Sequence, residues 1–375
     1  MSNVYGTTKA LHHEGRMQAL REVRVAAPVH LQIILSDYCT HSCAWCAYRW
    51  PGYSSNELFQ IEPGTSRKAK NPRRFLDARL VRQVLQEAKD MGVKAVQFTG
   101  GGSPTCYPEF APLAHHACDL GFDVALVTNG STLHRPEIRA AVLRMAWVRV
   151  SVDAGTLSTY CATRQVGPGM WHRMVEGVKA LVDARSYLDN ALIIGIGFVA
   201  TPWNYQEIHQ AVGLYRSWGV DNVRLGLMFN PEGSKPYAAI RNEMCTAARR
   251  AKAEWERPGF AVVDRVSEKL HELDQGPPAF RRCPYQAFTT YLAGDAWLYR
   301  CCVTAYNHLG RLGQITKERG FRALWEAPET QRAILEFDAR RCPRCQFTEI
   351  NETLNAALAG GVPDLGPTPT HVNFV

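Results

Sequence analysis

Leu31-Gln32-Ile33-Ile34-Leu35-Ser36 runs directly into Asp37-Tyr38-Cys39-Thr40-His41-Ser42-Cys43-Ala44-Trp45-Cys46. A short apolar run rich in β-branched residues reads as a buried parallel strand. The residues after it form a loop with three cysteines at the spacing Cys-x3-Cys-x2-Cys. Three thiolates so placed can each take one iron of a cubane iron–sulfur cluster, which leaves the fourth iron without a protein ligand. An open metal position is one that a substrate or cofactor can enter. The same loop has a plainer reading, a zinc ion completed by His41 or three unrelated buried thiols.

The pattern repeats outward from this strand. Apolar runs at 31–36, 95–99, 124–128, 148–152, 192–200 and 223–229 alternate with amphipathic stretches at 77–91, 108–120, 136–145, 170–186, 205–218 and 236–255. The clearest helix is 77–91, where Leu80, Val81, Val84, Leu85, Ala88 and Met91 recur at helical spacing and Gly92 stands as a stop. Six strand–helix units predict an α/β fold, either a parallel barrel or a doubly wound sheet. In both, function gathers at the C-terminal strand ends.

The 375 residues carry 43 Lys+Arg against 35 Asp+Glu, a formal charge of +8, and are 46% hydrophobic and 21% charged. That balance excludes a disordered chain, and no apolar run is long enough to span a bilayer. The polar, His-bearing first residues do not read as a secretory signal, so a cytoplasmic location is expected. Twelve cysteines in that setting point to metal or redox chemistry rather than a disulfide scaffold. The expected organisation is an N-terminal arm (1–28), the strand–helix body (29–256), a connector (257–282), a small cysteine-rich domain (283–347) and a tail (348–375).

In the cysteine-rich part, Cys342 and Cys345 form a Cys-x2-Cys knuckle, and Cys283 with either Cys301 or Cys302 completes four thiolates. A full thiolate set suits a closed structural zinc site or a second, auxiliary iron–sulfur cluster. The long insertion at 47–75 interleaves aromatics, among them Tyr53, with Arg67, Lys68, Lys70, Arg73 and Arg74. Such a mixture suits stacking on bases with phosphate contact, or else is a solvated charge run on a lid.

The cysteine loop after the first strand resembles the signature of the radical S-adenosylmethionine (SAM) superfamily. That resemblance implies a partial (β/α)6 TIM-like barrel in which Cys39, Cys43 and Cys46 hold a 4Fe–4S cluster. SAM chelates the open iron, and its reductive cleavage yields a 5′-deoxyadenosyl radical that takes a hydrogen atom from the substrate. Trp45 matches the position whose backbone borders adenine. Gly100, Gly101, Gly102 and Ser103 match the stretch that receives the SAM amino group, although an acidic residue is common where Ser103 stands. Asn129, Ser151 and Asp153 match contacts to ribose or carboxylate, and Gly195 lies in the strand near adenine.

The region 283–347 resembles the SPASM/twitch extensions of this superfamily, which hold auxiliary clusters. The stretch 52–59 with 71–74 resembles bacteriophage-encoded members linked to hypermodified thymine. It implies an isomerase moving a glycyl group on thymine of phage DNA from a nitrogen to a carbon linkage. The alternative implied substrate is a ribosomally made peptide. The non-enzymatic alternative is a zinc-stapled nucleic-acid-binding protein. An enzyme of this kind needs a small electron donor protein of flavodoxin or ferredoxin type, and no membrane partner is expected.

Overall fold

In a computed structural model of the chain, residues 6–49, 57–58, 73–188, 192–361 and 365–375 are described. Their strands join one ten-stranded sheet. β1 (His30–Ile33), β2 (Ala95–Phe98), β3 (Asp123–Thr128), β4 (Trp147–Ser151), β5 (Ile193–Ala200), β6 (Asn222–Leu227) and β7 (Ala261–Asp264) lie side by side and parallel. β8 (Thr289–Leu292) pairs parallel with the free side of β1, and β9 (Trp297–Tyr299) and β10 (Arg311–Gln314) continue antiparallel from it. β7 and β10 are the two edges, so the sheet curls without closing. This is the α/β partial barrel.

Local sequence accounts for the elements. Among the helices, α1 (Glu14–Arg21) precedes β1 and α2 (Ala78–Asp90) follows it. The Asp77 side chain accepts from the Arg79 N–H at 2.7 Å, capping α2. Val81, Val84, Leu85 and Ala88 are buried along one stripe. Gly92 ends the turn at φ +86°, a conformation that glycine takes without Cβ strain. The parallel strands are then linked by α3 (Phe110–Asp119), α4 (Pro136–Val142), α5 (Leu157–Arg164), α6 (Pro168–Ser186), α7 (Ile208–Ser217) and α8 (Arg241–Trp255).

Three features extend the expected pattern. The stretch 257–282 supplies β7, which pairs with β6, and α9 (Val266–Gln275). Between β4 and α6 stands the extra helix α5, capped by the Thr156 side chain and ended by Gln165 at φ +53°. After α10 (Phe321–Trp325) and α11 (Pro328–Leu335), the stretch 348–375 contributes α12 (Thr348–Leu358), and its last residues tuck under the barrel. Phe374 meets His30 and Trp147 edge-on, with ring centroids 5.3 Å apart in both contacts. Buried Lys9 donates to the carbonyls of His371 (3.0 Å) and Phe374 (3.2 Å). Among the described residues no helix is long and apolar enough to cross a membrane.

Candidate functional site

The loop that leaves β1 is held by the turn that leaves β2. Gly102 N–H donates to Ser36 O at 2.9 Å and Ser103 N–H to Tyr38 O at 3.0 Å. A Cβ on Gly102 would lie 1.9 Å from Tyr38 O, and one on Gly100 would lie 2.1 Å from Gly102 O. The glycines therefore let the two backbones touch. Gly101 sits between them in the same turn. The buried Ser103 hydroxyl meets Thr128 and Asn129 at 3.3 Å. Asn129, at the end of β3, turns its amide back to the loop: its Nδ2 donates to Thr40 Oγ1 (3.2 Å), His41 Nδ1 (2.7 Å) and Cys39 Sγ (3.6 Å).

N–H donors surround the loop's thiols. His41 N–H approaches Cys39 Sγ at 3.4 Å, and Arg164 Nη1 approaches Cys43 Sγ at 3.2 Å. Burial, followed by the neighbouring Cys43, pushes the Cys46 thiol up to about 11, and burial with Cys43 and Cys46 lifts Cys39 further. The three sulfurs thus share one environment in which a cation or an iron cluster would stabilise the thiolates. His41 turns away from them. Its Nδ1 accepts from Asn129 and its Nε2 lies 2.8 Å from Tyr160 Oη, so neither ring nitrogen is left to complete a zinc site. Among the described residues, no three His, Cys, Asp or Glu side chains are drawn together as round a single ion.

Arg164, at the end of α5, is the site residue that sequence reasoning missed. It forms a buried ion pair with Asp153 and lies over the rings of Trp45 (5.6 Å) and Tyr160 (5.9 Å). Burial alone would lower its pKa, but Asp153 and Cys43 raise it, so it stays a cation. Asp153 is committed inside the protein. Its Oδ1 accepts from Val199 N–H at 2.7 Å, its carbonyl accepts from Asn204, and its φ is +58°. Buried Trp45 stacks on Trp203 at 6.4 Å.

Two chambers open beside the loop. A cavity of about 360 Å³ is lined by Tyr48, Thr99, Arg149, Arg224, Arg265 and Cys302, among others. Gly195 faces it next to Asn222, whose Oδ1 a Cβ there would meet at 2.5 Å. A smaller cavity of about 130 Å³ shares Arg149 and Arg224 and is bordered by Ser151, Asp153 and Gly197.

The second cysteine group separates. Cys283, Cys301, Cys342 and Cys345 border one cavity of about 30 Å³ beside Phe280, Phe337 and Phe347, whereas Cys302 faces the large chamber. Cys301 is extended (φ −163°, ψ 174°), and in extended chain successive side chains leave on opposite sides.

Of the basic residues expected to meet phosphate, Arg74 is already engaged. Its Nε pairs with buried Asp37 at 2.6 Å, and its guanidinium covers the Tyr306 ring at 5.4 Å. Burial lifts Asp37 to about 6 against the pull of Arg74 and Tyr306. Arg73 lies over Tyr38 at 5.4 Å. Tyr53, Arg67, Lys68 and Lys70 lie outside the described residues.

Residues 33–227 match the family described as the Radical SAM superfamily. A curated relative, the PqqA peptide cyclase of Gluconobacter oxydans (strain 621H), is 25% identical over 248 residues, 65% of this chain. The match spans 62% of that relative's length. Among solved structures, Streptococcus suis SuiB bound to its precursor peptide SuiA superposes with a TM-score of 0.60 at 15% identity, covering 100% of this chain and 82% of SuiB. Native anSMEcpe with bound AdoMet superposes at 0.56 with 13% identity, covering 89% of this chain and 97% of that one. Both share the fold.

Proposed function

The chain belongs to the radical SAM superfamily, and from that premise we propose that it abstracts a hydrogen atom from an anionic, aminoacyl-bearing substrate held in the 360 Å³ chamber. Cys39, Cys43 and Cys46 would hold the family's 4Fe–4S cluster, with SAM at the ends of β2, β3 and β4 beside Gly100–Gly102, Asn129 and Ser151. The bound pair supplies a one-electron cleavage of SAM that yields a radical able to attack a C–H bond. The chain's own residues do the rest. Arg164 places a fixed cation beside Cys43, offsetting the negative charge of thiolates in a poorly solvated loop. Asn129 ties that loop to the glycine turn, so its geometry is set before any ligand arrives.

The observation that carries the substrate class is the lining of the chamber. Arg149 and Arg224 come to it from β4 and β6, alongside Gln32, Gln97 and Asn222, while Arg265 there is already ion-paired with Glu268. Guanidinium groups suit phosphate or carboxylate, and side-chain amides suit the polar edge of a base. Its volume lies within the usual range of small-ligand pockets. The specific substrate we propose is glycyl-modified thymine in phage DNA, isomerised from a nitrogen to a carbon linkage. The similarity to PqqA peptide cyclase and to the fold of SuiB supports a second reading, a peptide substrate. Cys283, Cys301, Cys342 and Cys345 would hold an auxiliary iron–sulfur cluster, with zinc as the competing occupant. A flavodoxin- or ferredoxin-type protein would deliver the electron.

The test is anaerobic incubation of the iron-reconstituted protein with SAM, reductant and a glycyl-thymine oligonucleotide, then digestion to nucleosides. A new nucleoside of unchanged mass is expected. Formation of 5′-deoxyadenosine with no such isomer would reject the DNA substrate and leave the peptide reading. About eight irons per chain would support the auxiliary cluster, and about four irons plus zinc would reject it.

A further inference from the structure

Four of the five late cysteines account for one small cavity, and the fifth does not belong to it. Cys302 lies instead on the wall of the large chamber with Tyr48, Tyr285 and Tyr291. Tyr48, two residues past Cys46, lines the same chamber, so its lining runs from the end of the first cysteine loop to the second cysteine group. The chamber itself is made to take a ligand. Asn222 Oδ1 and His30 Nε2, on residues only 6% and 2% exposed, line it with no hydrogen-bond partner. Buried acceptors left in that state are costly unless something polar enters to satisfy them.

We propose that the Cys302 thiol is the hydrogen-atom donor of this chamber, quenching the radical that abstraction leaves on the substrate. The inference rests on the radical chemistry proposed above but not on which substrate is taken. The step balances simply. A bond from hydrogen to the substrate radical centre forms, the S–H bond of Cys302 breaks, and the unpaired electron passes to sulfur. One electron from a donor of iron–sulfur or flavin class, with one proton from solvent, restores the thiol. The four-thiol cavity where such a donor would be held includes Cys301, the adjoining residue. A thiol serves here because its S–H bond is far weaker than the O–H bond of a serine of similar shape.

The test needs no substrate. Reconstituted protein is reduced with SAM in D2O, and the 5′-deoxyadenosine formed is analysed by mass spectrometry. Wild type should place one solvent deuterium in the product, since the thiol exchanges with water and the proposal puts it within reach of the radical. Cys302→Ser and Cys302→Ala should each lower the deuterated fraction by roughly tenfold or more, because a donor outside the chamber is poorly placed. Cys302→Ser should keep the wild-type iron and sulfide content, whereas Cys301→Ser should lose about half of its iron. An unlabelled wild-type product would overturn the proposal. So would equal labelling in the Cys302 variants, loss of label in Tyr291→Phe alone, or iron loss in Cys302→Ser matching that of Cys301→Ser. If wild type makes no 5′-deoxyadenosine at all, the proposed function fails and takes this inference with it. A failure with the glycyl-thymine oligonucleotide alone would not touch it.

Discussion

Replacing Arg164 with methionine tests the arrangement around the first cysteine loop. The side chains of Arg164 and Asp153 are 5% and 2% exposed, so neither charge can fall back on water. Arg164→Met keeps most of the aliphatic stem under Trp45 and Tyr160 but leaves the Asp153 carboxylate with the Val199 N–H and the weaker field of Arg149 in place of a paired cation. Losing one partner of a buried pair costs about 3–5 kcal/mol, mostly as the penalty of the stranded charge. Burial already lifts the Asp153 pKa against the pull of Arg164, and without Arg164 it rises further. A folded-state pKa above the unfolded one favours the protonated, folded protein at low pH. Stability is then lost as pH climbs from the unfolded value towards the folded one, at up to about 1.4 kcal/mol per unit. Urea unfolding of the metal-free protein, followed by tryptophan fluorescence, should therefore show a larger deficit at pH 8 than at pH 5.5. Adding Asp153→Asn should recover at least half of it. A deficit below about 1 kcal/mol, or one equal at both pH values, would refute the buried pair as described.

His30, held neutral by burial with its pKa lowered to about 4, has a folded value below its unfolded one, so stability falls as pH drops from 6.5 towards 4. By pH 5 its share of the loss is about 2 kcal/mol, and urea unfolding of His30→Gln should lack that share. The groups facing His30 are Lys9, whose charge lowers it, and the Val375 carbonyl, which raises it. Asp77→Ala should cost about 1 kcal/mol through loss of the α2 cap, and Asp77→Ser should restore most of it in the same assay. Arg224→Ala should raise substrate KM roughly tenfold or more with a smaller change in kcat, as expected on losing a charge-assisted contact.

Sequence made the barrel legible because its signals are local. Strand runs, the Asp77 cap and the Gly92 stop each act over a few residues, and β1 to β6 appear within a residue or two of their expected starts. β7 was hidden because Ala261–Asp264 is only four residues long and lies in a stretch that reads as a connector. α5 was hidden because its eight residues carry only a weak one-sided apolar stripe, and Thr156 gives the one local sign of its start. Arg164 lies 121 residues from Cys43, and no spacing rule connects a helix-ending arginine to a distant thiol. Gly100 and Gly102 match a stretch expected to receive the SAM amino group, yet the atoms that a Cβ would strike belong to the chain's own loop and turn. Burial could not be read for Arg74 either, because its partner Asp37 is distant in sequence and Tyr306 completes the contact.

Cys301 and Cys302 show why the chemical role of neighbouring residues needs the sheet as well as the sequence. Composition assigns the same thiol to both. Register separates them: β8 lies against β1 with Tyr291 opposite Gln32, and β9 turns back along β8 with Tyr299 opposite Tyr291. The extended backbone at Cys301 then sends its side chain to the cavity of Cys283, Cys342 and Cys345, and the next one to the chamber lined by Gln32 and Tyr291. Because β8 is hydrogen-bonded to the very strand that carries the first cysteine loop, the chamber is bordered both by Tyr48, two residues past that loop, and by Cys302. A second cysteine-rich unit tethered by a flexible linker could not hold that relation, whereas one built on the barrel sheet holds it through backbone hydrogen bonds. The cysteine-rich region is thus better regarded as a wall of the large chamber than as an appendage to the barrel.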